Sequence, residues 1–215
     1  MRRGLWIAGL LAALAGCADT AQERARDYNE VGVRFYQGGN YRAAADSFQA
    51  ALALTPEDAA LLYNLGQCYD RLGDPAGAEK HYRACLARVP NHPQCHHALT
   101  MLLVREGRWP DAVRFTEDWL RREPKRAAAL AEDGWLWRQA GDLPRAQSRF
   151  QEALSIDPHD PLALAELATI YEARGRPGRA LVLYEKLLAS NPNQPDVIRQ
   201  VNRLRAQNVG PPRPE

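Results

Sequence analysis

The chain has 215 residues, and its 28 Lys and Arg residues nearly balance its 26 Asp and Glu residues, which leaves a formal net charge of +2 at pH 7. A chain this close to neutral lacks the basic surface with which proteins bind a phosphate backbone, so we expect no nucleic-acid partner. Arg2 and Arg3 supply the whole excess of basic residues.

The first 17 residues have the features of a secretion signal. Arg2 and Arg3 precede an apolar run at residues 4–14, which is too short to span a bilayer because a spanning helix needs about 20 residues. The Leu-Ala-Gly-Cys sequence at residues 14–17 resembles a bacterial lipobox. That resemblance implies that the Cys17 thiol is diacylated and becomes the new N-terminus. Ordinary signal cleavage after Ala15, with Cys17 a simple thiol, is the alternative.

A lipid on Cys17 would anchor the protein to a membrane without spanning it. Residues 18–24 are predicted to be a short linker, which reaches roughly 24 Å when fully extended. Ala18, and not an Asp, follows Cys17, which resembles the outer-membrane sorting class in bacteria with two membranes. We therefore expect the cell envelope, at the periplasmic face of the outer membrane or otherwise at the outer face of the cytoplasmic membrane.

From residue 25 to residue 194 the sequence repeats with a period of 34 residues and without insertion or deletion. Each repeat has a glycine between two blocks of helically spaced apolar residues, and a proline at its end. The prolines are Pro56, Pro90, Pro124, Pro158 and Pro192, and the glycines are Gly39, Gly73, Gly107, Gly141 and Gly175. The pattern predicts five units, at residues 25–58, 59–92, 93–126, 127–160 and 161–194.

Each unit is predicted to form a hairpin of two helices. A glycine such as Gly39 ends the first helix because it adopts the left-handed conformation without steric cost, and the proline ends the second helix. Small residues such as Gly32 and Ala44 allow the two helices to approach closely, and aromatic residues such as Phe48 fill the space beside them. Every hairpin leaves one apolar face that the next hairpin must cover.

The repeat resembles the tetratricopeptide repeat, whose signature is a series of Gly, aromatic, Ala, aromatic, Ala and Pro over 34 residues. The fourth unit has the whole series, as Gly134, Trp137, Ala146, Phe150, Ala153 and Pro158. The third unit departs most, with Thr100, Thr116 and Trp119 where Gly, an aromatic residue and Ala are usual. The resemblance covers about four fifths of the chain. It implies an all-α fold, a right-handed α-solenoid of five helical hairpins.

The chain after the fifth unit is predicted to close the stack. Residues 195–209 are amphipathic, with Val197, Ile198, Val201 and Leu204 on one face, and are predicted to form a capping helix. Residues 210–215, with the sequence Gly-Pro-Pro-Arg-Pro-Glu, are predicted to be a disordered tail.

The resemblance also implies a binding surface, because the first helices of tetratricopeptide hairpins line a concave groove that binds peptides. Several of these positions hold large side chains that the packing of the repeat does not require, of the residue types enriched at protein interfaces. An alternative is that some of them only fill space between neighbouring helices. The predicted groove residues are Asn29, Val33, Tyr36, Tyr63, Gln67, Asp70, His97, Met101, Arg105, Trp135 and Arg138.

Cysteine and histidine residues cluster around the second inter-unit loop. Cys85 and Cys95 flank this loop, so an exported protein can bridge them, but Cys85 stands at a small core position, which favours free buried thiols. His92 and His96 have the spacing of paired metal ligands. Pro93 lies between them and no carboxylate is adjacent, so we expect no metal. Cys68 has no obvious partner.

The chain lacks a His-Glu-x-x-His motif, a Gly-rich phosphate loop and a Gly-x-Ser-x-Gly elbow, so we expect neither catalysis nor a cofactor. The leading hypothesis is a membrane-anchored adaptor that holds an envelope protein or peptide in its groove. Lipoproteins of similar make-up serve pilus assembly, secretion systems or cell-wall enzyme complexes, and pilus assembly is our first choice. The rival hypothesis is a metal- or redox-responsive sensor that uses Cys85, Cys95, His92 and His96.

One polar residue occupies a core position of the repeat. Asp133 lies in register with Val31, Leu65, Leu99 and Leu167, so it is predicted to point inwards. A buried carboxylate needs a donor or a proton. We expect the Thr116 hydroxyl to approach it, and His96 and Thr100 are less favoured partners. The alternative is a contact with backbone groups or water.

Overall fold

The computed structural model describes the backbone of residues 4–207 and the side chains of residues 20–207. Within this range every regular element is an α-helix, which confirms the predicted all-α class. The helices are α1 (Gly4–Gln37), α2 (Tyr41–Leu54), α3 (Ala59–Arg71), α4 (Pro75–Arg88), α5 (Pro93–Arg105), α6 (Trp109–Arg122), α7 (Ala127–Gln139), α8 (Leu143–Ile156), α9 (Pro161–Ala173), α10 (Pro177–Ser190) and α11 (Pro195–Ala206).

The five aligned glycines end the first helix of each hairpin in the left-handed conformation, as predicted. Their φ angles lie between 67° and 84°. A Cβ atom added at any of them would meet nothing within 4 Å. The backbone angle, and not a lack of space, therefore requires glycine at these positions.

A second group of glycines lies where the two helices of a hairpin cross. A Cβ atom at Gly32 would come within 2.6 Å of the Phe48 ring, and one at Gly66 within 2.4 Å of the Tyr82 ring. Phe48 and Tyr82 are 1% and 2% exposed. The aromatic ring of the second helix thus packs directly on the backbone of the first, which confirms the close approach expected from the small residues.

Helix starts are stabilised by side chains that accept hydrogen bonds from the first turn. Asp58 caps α3 and Asp160 caps α9, and His92 performs the same role for α5 through its ring nitrogen. These three residues share one register position of the repeat. Either a carboxylate or an imidazole can act as the acceptor at this position. Arg126 and Gln194, at the same position before α7 and α11, make no side-chain cap.

The chain forms two compact units that divide between Gly107 and Arg108. In the first unit α1 to α5 pack in sequence, each helix against the next. Residues of α1, α2 and α3 form one core cluster around Phe48, Leu61 and Leu65, and residues of α3, α4 and α5 form a second cluster. In the second unit α6 to α11 also pack in sequence, and α7 in addition contacts α9. The boundary falls inside the third repeat, whose sequence departs most from the family pattern.

Two predicted segments, the linker and the capping helix, can be compared with the structure. Residues 18–24 continue helix α1 and do not form a separate linker. The capping helix α11 ends at Ala206, before the predicted end at residue 209. The side chain of Cys17 and the predicted tail at 210–215 lie outside the described residues. Among the described helices, none is long and apolar enough to cross a membrane.

The prediction that Thr116 approaches Asp133 was wrong. The Asp133 side chain is 14% exposed, and its Oδ2 atom lies 2.7 Å from Arg149 Nε on α8. Burial raises the pKa of the Asp133 carboxyl, while the Arg149 guanidinium acts to lower it. Thr116 Oγ1 is buried and has no hydrogen-bond partner among the described residues. The long arginine side chain reaches across its own hairpin to the carboxylate, a reach that the repeat pattern does not reveal.

Candidate functional site

The first helices of three successive hairpins, α1, α3 and α5, carry most of the predicted groove residues. We call this set the first-helix surface: Asn29, Val33, Tyr36, Tyr63, Gln67, Asp70, His97, Met101 and Arg105. Most of these side chains are half-buried, and Met101 and Arg105 are exposed. All nine belong to one compact unit.

Polar contacts join neighbouring helices along this surface. Asn64 Nδ2 on α3 donates to Asn29 Oδ1 on α1 at 3.4 Å. The Arg105 guanidinium on α5 pairs with the Asp70 carboxylate on α3, and its second nitrogen lies 3.3 Å from Asp70 Oδ2. Asp70 and Arg105 therefore offset each other's charge, while the Arg105 side chain stays exposed.

Sequence reasoning missed Asn64, although a signal for it exists. Both contacts join residues that are 35 positions apart. That spacing is one residue longer than the repeat period. In both cases it joins complementary polar side chains on the first helices of adjacent hairpins.

Tyr36 and Tyr63 are aromatic members of the first-helix surface. The Tyr36 ring meets the Tyr41 ring edge to face, with centroids 5.2 Å apart. Gln67 Nε2 donates to the Tyr63 hydroxyl at 3.0 Å. Burial raises the pKa of Tyr63, and the neighbouring Tyr36 adds to the shift. Tyr63 is thus a neutral, hydrogen-bonded phenol at ordinary pH.

Trp135, which was also predicted for the groove, is a buried residue, as the alternative of a space-filling side chain between helices expects. Its side chain is only 7% exposed. Helix α7 contacts α6, α8 and α9, and it buries eight of its residues, so it has little free surface. Arg138, on the same helix, pairs with Glu166 on α9 at 3.0 Å.

A second cluster lies between α4 and α5. Cys85 and Cys95 form a disulfide, with their Cα atoms 6.6 Å apart. The preference for free thiols was therefore wrong at these two positions. Cys68 is the free buried thiol of the described residues, and burial raises its pKa to about 11, so it is a poor nucleophile.

His92 joins this cluster and His96 does not. Ligand atoms of Cys85, His92 and Cys95 all lie within 4.8 Å of one another. His92 Nδ1 accepts a hydrogen bond from the Cys95 amide at 3.3 Å, and burial lowers the pKa of the ring. His96 is 1% exposed, and its Nε2 lies 2.9 Å from the Pro90 carbonyl oxygen. Of the four predicted sensor residues, three therefore come together.

Comparison with known proteins supports the repeat assignment. Two family models, both described as tetratricopeptide repeat, match the chain. One matches residues 32–93, and the other matches residues 71–132 and 138–207. The second model extends over α11, so the capping helix lies inside the matched region.

Several solved structures resemble the chain. A thermophilic tetratricopeptide repeat protein of Thermus thermophilus is 25% identical, with 85% of this chain and 99% of that chain covered and a TM-score of 0.62. The Pseudomonas aeruginosa protein pilF is 18% identical, with 88% of each chain covered and a TM-score of 0.54. A tetratricopeptide repeat protein of Parabacteroides merdae is 21% identical, with 86% and 74% covered and a TM-score of 0.51. The last two likenesses show the fold alone.

Proposed function

Because the chain belongs to the tetratricopeptide repeat family, we propose that it is a protein-binding adaptor without catalytic activity, anchored to a membrane of the bacterial cell envelope through Cys17. Tetratricopeptide repeats are scaffolds for protein-protein interaction, and this general role follows from the family. The anchor, the compartment and the surface used are the specific parts of the proposal.

The observation that carries the proposal is the composition of the first-helix surface. Met101 is 39% exposed, and Tyr36 and Tyr63 are half-buried. Large apolar and amphipathic side chains bordered by Asn, Gln and Arg are typical of protein interfaces. We infer that the partner offers apolar side chains to Tyr63 and Met101 and backbone hydrogen-bond groups to Asn29 and Gln67.

The envelope location rests on the N-terminal sequence. The lipobox-like sequence at residues 14–17 supports a lipid on Cys17, and a lipid holds a protein at a membrane surface. The periplasmic face of the outer membrane is the favoured location, and the outer face of the cytoplasmic membrane is the other. At either place the adaptor would meet other envelope proteins.

The finer proposal is a role in assembling an envelope machine, with pilus assembly preferred over secretion systems and cell-wall enzyme complexes. It rests on the combination of a lipoprotein-like N-terminus and a repeat domain in one chain. Deletion of the gene followed by assays for surface pili and for secretion tests it. A deletion strain with normal pili and normal secretion contradicts a role in pilus assembly and a role in secretion.

The binding surface is tested with a photo-crosslinking amino acid at position 63, introduced into the full chain in its own cells. We expect a discrete crosslinked product, because Tyr63 lies on the first-helix surface. The matched control is position 182, since Val182 is 47% exposed on α10, the second helix of its hairpin. The product should be absent there.

The double variant Tyr63→Ala and Met101→Ala should then weaken capture of that partner by about tenfold, since truncating an interface hot spot costs more than about 1 kcal/mol. Val182→Ala should leave capture unchanged. Equal crosslinking from positions 63 and 182, or unchanged capture by the double variant, contradicts the proposed surface.

A further inference from the structure

The adaptor function does not account for the cluster of Cys85, His92 and Cys95, which combines two sulfur atoms with an imidazole. Cys85 lies near the end of α4, His92 caps α5, and Cys95 lies in the first turn of α5. Both cysteines are fully buried, and the three possible ligand atoms lie within 4.8 Å of one another. We propose that, once the disulfide is reduced, these three residues bind a thiolate-preferring divalent cation of the zinc class.

The chemistry requires an electron donor of the low-molecular-weight thiol class. Two molecules of the thiol supply two electrons and two protons, so that the Cys85–Cys95 bond opens to two thiols and the donor becomes its own disulfide. The cation then displaces one proton from each thiol and is held by two thiolates. A low-molecular-weight disulfide reverses these steps: it oxidises the two cysteine thiolates back to the Cys85–Cys95 bond, is itself reduced to two thiolates, and so releases the cation.

The ligand types select the cation. Thiolate and imidazole groups bind zinc with bond lengths of about 2.0 to 2.3 Å and are poor ligands for magnesium or calcium, which prefer oxygen. Two thiolates balance the charge of one divalent cation. A neutral site of this kind suits the apolar cluster that surrounds the two cysteines, which includes Ala59 and Leu62.

Helix α5 assists one of the two thiolates. Cys95 lies in the first turn of α5, where the positive end of the helix dipole stabilises a negative charge. The next residue, His96, is directed away from the cluster to the Pro90 carbonyl oxygen, which lies 2.9 Å from its Nε2 atom. Among the described residues the site therefore has three protein ligands, and its fourth position is left to water or another small donor.

The identity of residue 92 distinguishes ligation from capping. Asp58 and Asp160 cap their helices from the same register position, so the repeat does not need an imidazole there. His92 Nδ1 accepts the Cys95 amide hydrogen bond in the oxidised protein. When the same lone pair turns to the cation, Nε2 keeps the ring proton. A substitution of His92 by Asn preserves an acceptor for the cap and removes the nitrogen ligand.

The test uses the full chain, purified in a mild detergent, with Co²⁺ as a spectroscopic probe for zinc. After reduction with a thiol and anaerobic removal of the reductant, the protein should bind one Co²⁺ with a thiolate-to-cobalt charge-transfer band. The oxidised protein should show no such band. His92→Asn should lower the affinity about tenfold or more, with an unchanged circular dichroism spectrum, and Cys85→Ala should abolish the band.

Cys68→Ala is the matched control, since this thiol is buried apart from the cluster and should not affect the band. A reduced protein that binds no Co²⁺ overturns the proposal, because the disulfide is then only a structural link. Binding that His92→Asn leaves unchanged, or that Cys68→Ala removes, overturns it as well.

Discussion

At the scale of single residues, exposure separates side chains that the repeat places in one register position. Gln67, Met101 and Trp135 occupy the same position of successive units. Met101 is 39% exposed, whereas Trp135 is 7% exposed. Trp135 lies on α7, which packs against α6, α8 and α9, whereas Met101 lies on α5, which packs mainly against α3 and α4. One register position is therefore a surface site in one hairpin and a core site in the next.

The exposure difference predicts opposite effects of truncation on stability. Trp135→Ala should lower the free energy of unfolding by about 3 to 5 kcal/mol, because it empties a buried site. Met101→Ala, at the equivalent position, should change it by about 0.5 kcal/mol or less. Urea denaturation of both variants measures this. A Trp135→Ala variant as stable as Met101→Ala would show that Trp135 is a surface residue.

At the scale of helices, each of the first two hairpins is held by a ring that packs on a glycine backbone. Tyr82 of α4 fills the space that a side chain at position 66 of α3 would occupy. The distance between the two helices is therefore set by the absence of a single Cβ atom. Gly38 is different, because it is exposed and an added Cβ atom there would come no closer than 3.4 Å to its neighbours.

Gly66→Ala should destabilise the protein by up to about 3 kcal/mol. Overpacking costs about 1 to 3 kcal/mol, and the better helix propensity of Ala returns up to about 1 kcal/mol. Gly38→Ala, the matched control, should be close to neutral. Thermal and urea unfolding measure both variants. A Gly66→Ala variant that is no less stable than Gly38→Ala contradicts the tight crossing.

At the scale of the whole molecule, α1 continues without a break from Gly4 into the first hairpin. If Cys17 becomes the lipidated N-terminus, the seven residues 18–24 rise only about 10 Å as a helix. This is less than half of the extended reach considered for a linker. The repeat domain is then held close to the lipid headgroups, and its partner must be reachable there.

The Cys17→Ala variant tests the anchor. We expect the wild-type protein to incorporate an alkyne-tagged fatty acid and to stay with membranes after a carbonate wash, because a diacylated cysteine is held by its acyl chains. The variant should lose the label, and Cys68→Ala should keep it. A wild-type protein that takes up no fatty acid, or a variant that is still labelled, contradicts lipidation at Cys17.

The sequence alone determined the repeat period, the helical hairpins, the positive-φ glycines and the glycine–aromatic crossings. These features depend on residues close in sequence, within one hairpin or between adjacent ones, so a 34-residue pattern records them directly. The first-helix surface as a binding site stays a prediction from the register of its residues. The register position of a residue determines the direction in which its side chain points from its own helix.

Only the tertiary structure decided which of those directions are covered. Trp135 is buried on α7, which packs against α6, α8 and α9. Asp133 meets Arg149 because the long arginine side chain crosses its hairpin. Cys85 meets Cys95 because the packing of α4 against α5 brings their Cα atoms within 6.6 Å. Each outcome depends on the distance and angle between helices. A pattern along one helix carries no information on either quantity, since packing against neighbours sets them.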